Sequence, residues 1–105
     1  ALAYLNRLLP NLPKKASNLK KHIEDCQYEM MENIFGYNLQ KTNRIKEKYL
    51  YDYLVKLSMY DYYTRELYHK KYISSHQLEC LSNIIIEARK IAYGIIKSFE
   101  SKEPI

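Results

Sequence analysis

The chain has no tryptophan, two glycines, three prolines and two cysteines in 105 residues. Scarce glycine and proline mean few tight turns, which argues against a fold of many short strands. The prolines sit at the edges (Pro10, Pro13 and Pro104), and the 90 residues between Pro13 and Pro104 contain none. Proline breaks a helix interior, so this absence favours long uninterrupted helices. Cys26 and Cys80 match no CxxC spacing and read as reduced thiols of a cytoplasmic protein, packed as small hydrophobes. No uncharged stretch approaches the ~20 residues of a bilayer span, so no membrane association is expected. Arg7 comes too early for a secretory leader, and the opening Ala-Leu-Ala-Tyr, without Met, suggests that the native start is missing. No glycine-rich phosphate loop and no nucleotide fingerprint is present.

What the chain does have is helical periodicity, tyrosine and positive charge. Apolar residues make up 47% and charged residues 28%, enough for one packed core and too apolar for bulk disorder. Four segments separate. The first, Ala1 to Leu9, carries Leu2, Leu5, Leu8 and Leu9 at helical spacing, stops at Pro10, and reads as a truncated helix. The second starts at a Ser17 or Asn18 cap and places Leu19, Ile23, Cys26, Met30 and Ile34 on one face, widened by Tyr28, Met31 and Phe35. Gly36 is expected to end it, with a polar connector from Tyr37 to Asn43. The third turns Ile45, Leu50, Tyr53, Leu54, Leu57, Tyr60 and Leu67 inward, with Tyr49, Tyr63 and Tyr68 at its margins.

The fourth segment opens on a capping box, Ser74-Ser75-His76-Gln77. Leu78, Leu81, Ile85, Ala88, Ala92, Ile95 and Phe99 follow at alternating three and four, a heptad seam whose alanines admit a close neighbour. Short connectors force antiparallel neighbours, so the expected fold is all-α: an up-down-up-down four-helix bundle spanning 1–105 as one domain, with 100–105 as a frayed tail. Ile84 and Ile91 form a second apolar edge. Together with Tyr49 and Tyr63 from a chain holding 12 tyrosines, that edge predicts an interface with further copies of the chain.

Catalytic chemistry is poorly served. His22, His69 and His76 fall at one end of such a bundle but lack ligand spacing on any helix, and the lysines around them disfavour a cation. No metal, no cofactor and no catalytic residue is expected. Asp25, Glu29 and Glu32 read as solvated charge, and neither cysteine has a base at a readable distance. The basic residues are better organised. Seventeen lysines and arginines against 12 acids leave +5. Lys14, Lys15, Lys20, Lys21, Lys70 and Lys71 gather at one pole of the bundle, and Lys41, Arg44, Lys46 and Lys48 at the other. Such clusters suit phosphates, RNA or DNA, with little sequence preference; the alternative is ordinary solvated lysine on a helical protein-interaction module.

The ordered set of features resembles the accessory variability determinant proteins of diversity-generating retroelements and their four-helix-bundle relatives, which include proteins encoded by intervening sequences of large-subunit rRNA genes. The resemblance is carried by Leu9-Pro10 through Lys14-Lys15, by Ser74-Ser75-His76-Gln77-Leu78-Glu79, and by Ile86-Glu87-Ala88-Arg89-Lys90-Ile91 with the apolar run to Phe99. It covers nearly the whole chain. It implies a basic, non-enzymatic homopentamer that binds a reverse transcriptase and its template RNA region and supports cDNA synthesis. The residues meeting nucleic acid would be the ten lysines and arginines of the two poles. The family's Gly-x-Trp near the end of the last helix is replaced here by Tyr93-Gly94-Ile95.

Overall fold

The structure, a computed structural model, describes residues 7–102. Among these there are two 3-10 turns, Leu9–Asn11 and Lys14–Ala16, and three α-helices: α1 (Ser17–Leu39), α2 (Asn43–His69) and α3 (Ser75–Lys102). No strand occurs among the described residues. The all-α expectation holds. The fourth rod expected from Ala1 to Leu9 falls largely outside the described residues, of which only Arg7 and Leu8 are helical before the Leu9–Asn11 turn. No helix among the described residues is long and apolar enough to cross a membrane.

Local chemistry explains the boundaries, with three departures from expectation. Ser17 does not cap α1 and neither does Asn18. The Lys14–Ala16 turn runs straight into the helix, the Ala16 amide donating to the Pro13 carbonyl (2.9 Å) and the Ser17 amide to that of Lys14. The first amides thus find backbone partners without a side-chain cap. Gly36 does not end α1, which continues to Leu39 and leaves Gln40–Thr42 as the connector. Finally, α3 runs on through Lys102, into the tail expected to fray; residues 103–105 lie outside the described residues. The α3 start follows expectation, as the Gln77 amide donates to Ser74 Oγ (3.1 Å) and the Ser74 amide to Gln77 Oε1 (2.8 Å).

Gly36 has a packing role. The Tyr49 ring lies against it, and a Cβ there would come within 2.8 Å of Tyr49 Cδ1. Gly36→Ala is expected to lower stability by about 1 kcal/mol through overpacking. In a Tyr49→Ala background the same change should gain about 1 kcal/mol of helix propensity. Urea unfolding of the double-mutant cycle reads both.

The helices form a rod of 52 × 22 × 18 Å. Antiparallel pairing of α1 and α2 is fixed by cross-helix contacts that keep one register: His22 with Tyr63, Gln27 with Tyr60, Glu29 with Lys56 and Gly36 with Tyr49. α3 then doubles back along α2, while α1 and α3 barely meet. Ile23, Met30, Leu54, Leu57, Tyr60, Leu67, Leu81 and Ile85 are buried as their spacing requires. The seam of α3 shifts one position late in the helix, burying Ile96 where Ile95 was expected. A straight helix has 3.6 residues per turn and drifts about 20° per heptad from a 3.5 repeat, which accounts for the shift. Ile34 and Ile45, expected inward, are each 44% exposed, Ile34 on the wall of an open groove between the helices.

The core also holds polar groups that the apolar pattern passes over. Thr64 is fully buried and donates to the Asp61 carbonyl (2.8 Å), which lets a hydroxyl occupy the Tyr60–Leu67 face. Gln27 Nε2 donates to the Tyr60 hydroxyl across the α1–α2 seam (3.5 Å). Burial pushes the Tyr60 phenol up to about 12, the Gln27 hydrogen bond opposing only part of that rise. A phenol with a raised folded pKa stays protonated while the unfolded chain releases its proton. Its contribution is therefore complete below pH 10, the ordinary tyrosine value, and is lost as pH climbs to about 12. Stability should fall by roughly 2–3 kcal/mol across that window. Denaturant unfolding of wild type against Tyr60→Phe should show the fall shrinking in the variant.

Candidate nucleic-acid interface

Antiparallel pairing brings the start of α1 and the end of α2 to one pole. Lys14, Lys15 and Lys21 are exposed there and Lys20 is half-buried; Lys70 and Lys71, also exposed, follow α2. The opposite pole holds Lys41, Arg44 and Lys48, all exposed, and a half-buried Lys46 whose Nζ sits 5.1 Å from the Tyr37 ring centroid. Among the described residues the ion pairs are Glu29–Lys56 and Asp61–Arg65, and neither takes a lysine or arginine from the poles. Uncompensated cations at the two tips of a thin rod create a local potential larger than +5 suggests. Lys97, exposed toward the end of α3, joins the second pole because α3 runs antiparallel to α2. Sequence reasoning passed over it, although the up-down topology was signal enough.

The expected interface residues divide. Ile91 is 58% exposed and Ile84 half-buried. Tyr49 and Tyr63 instead spend their rings within the protomer, Tyr49 against Gly36 and Tyr63 stacked on His22 at 5.9 Å. Ile91 borders a groove of about 280 Å³ framed by α1, α2 and α3, with Ile34, Leu50, Tyr53, Ala88, Ala92 and Ile95 in its lining. The small Ala88 and Ala92 face this groove, and no described helix fills it. Burial raises the Tyr53 phenol beside it.

The remaining candidates are occupied structurally. The histidines are separately engaged: His22 with Tyr63, His69 with Tyr68 at 5.9 Å, and His76 Nε2 3.7 Å from Cys80 Sγ. That last pair corrects the expectation that Cys80 has no base within reach; four residues on one helix face bring the two together. Buried Cys26 donates to the Lys56 carbonyl (3.2 Å), and burial, aided by the Glu29 carboxylate and opposed by Lys56, pushes its thiol up. A raised pKa keeps sulfur in the unreactive thiol form. No group of three His, Cys, Asp or Glu able to hold a metal occurs among the described residues. Comparison of the chain with protein-family models, curated proteins and solved structures returns no match.

Proposed function

We propose that this chain is a non-enzymatic accessory protein of a diversity-generating retroelement. It holds RNA or DNA and a reverse transcriptase on the basic poles of a homo-oligomeric ring, in the cytoplasm, and thereby supports cDNA synthesis. The observation that carries the reading is the gathering of Lys14, Lys15, Lys20, Lys21, Lys70 and Lys71 at one tip, with no ion pair to any of them among the described residues. Phosphates brought to such a tip release condensed counterions, which gives affinity without base readout. The resemblance supplies the polymerase partner and the pentamer. The exposed Ile91 and the apolar groove favour further helices beside this one, supplied by other copies of the chain against the outer edge. Light scattering should return about five times the 12.7 kDa protomer mass. Co-purification with a tagged reverse transcriptase of such an element, with and without its template RNA, tests the partner; loss of both polymerase and RNA from the eluate would refute it.

A second reading, a helical interaction module without nucleic acid, is favoured by the groove alone. A helix laid there by another protein would bury the same isoleucines.

A further inference from the structure

The turn between α2 and α3 contains a backbone feature that charge alone does not require. Helix α2 closes with two hydrogen bonds, from the Tyr72 amide to the Leu67 carbonyl (2.8 Å) and from the Lys71 amide to the Tyr68 carbonyl (2.9 Å). This is a Schellman closure, and its left-handed position is the usual place for glycine. Lys71 occupies it, with φ of 63°. A Cβ in that conformation crowds the following carbonyl, so a lysine there is less stable than glycine would be. The strained Lys71 lines a notch of about 340 Å³, together with Tyr68, His69, Ile73 and the serines that open α3. Tyr68 is 38% exposed, and its ring meets His69 in a tilted, not a stacked, arrangement.

A flat aromatic ring and a cation sharing one small notch match the two ends of a nucleotide. The base stacks on the ring, and the phosphate meets the ammonium. In a duplex the bases are stacked on one another and a surface tyrosine cannot reach their faces. We propose that this notch seats one nucleotide of a single-stranded nucleic acid, with the base against Tyr68 and the phosphate at Lys71. The proposal rests on the nucleic-acid reading above and extends it from phosphate attraction to a preference for unpaired strands. Lys70 supplies a second charge beside the notch.

The test is fluorescence anisotropy of the whole chain with three labelled probes: an oligouridine and an oligothymidine of about 15 nucleotides, and a duplex of equal length. Wild type should bind both single strands about tenfold more tightly than the duplex. Tyr68→Leu should weaken single-strand binding about tenfold and leave the duplex unchanged. Lys71→Gly should weaken all three probes while raising the melting temperature, and Lys71→Arg should keep wild-type affinity. The ratio of uridine to thymidine probe identifies RNA or DNA as the natural strand. Wild-type binding that is as tight for duplex, or unaltered by Tyr68→Leu, overturns the notch and leaves the basic poles standing. No binding of any probe at low salt overturns both.

Discussion

Replacing Lys14, Lys15, Lys70 and Lys71 together by glutamate is expected to cut nucleic-acid affinity by about 10²-fold or more at moderate salt. All four are exposed at one tip, none is in an ion pair among the described residues, and none contributes to the core. The loss should therefore come without loss of helix content, and the mass by light scattering should stay that of wild type. Filter binding and circular dichroism on the same preparations check both parts. On the interaction-module reading the substitution changes neither binding nor mass, so one variant separates the two accounts.

The second large effect concerns the core. Leu57 lies near the centre of α2, the helix that packs against both α1 and α3, and is 1% exposed. Leu57→Ala removes buried methyl groups and leaves a cavity that three helices can only partly collapse, at an expected cost of about 3–4 kcal/mol. That is a large share of the 5–15 kcal/mol typical of whole domains. Ile91→Ala is the control. At 58% exposure it has little to lose within a protomer, and about 0.5 kcal/mol or less is expected under dilute conditions. Equilibrium urea unfolding measures each. If both cost the same, the helices are packed on different faces from those described.

Much of this arrangement was legible in the sequence. The proline-free stretch and the spacing of Ile23, Met30, Leu54, Leu57, Leu81 and Ile85 marked long helices and their inner faces, because a helix buries one stripe and the stripe has a period. Ser74 and Gln77 marked the start of α3 because reciprocal capping needs those residue types three apart. What escaped the pattern has physical reasons. Gly36 looks like a terminator until Tyr49, 13 residues on, is seen to need its missing side chain. Thr64 looks polar until its hydroxyl is satisfied by its own helix. The left-handed Lys71 left no trace, since nothing in the residue type announces φ of 63°. Of the candidate site, the polar clustering of lysines could be foreseen from short connectors, whereas the groove beside Ile91 depends on how far α1 and α3 stand apart, a distance no period encodes.

The most direct test of the electrostatic claim is the affinity of the unmodified chain for a single-stranded RNA oligomer across a salt series. With four to six lysines of one tip at phosphates, log affinity should fall linearly with log salt at a slope of roughly −3 to −4. A flat line from low to physiological salt would mean that these cations do not meet phosphate.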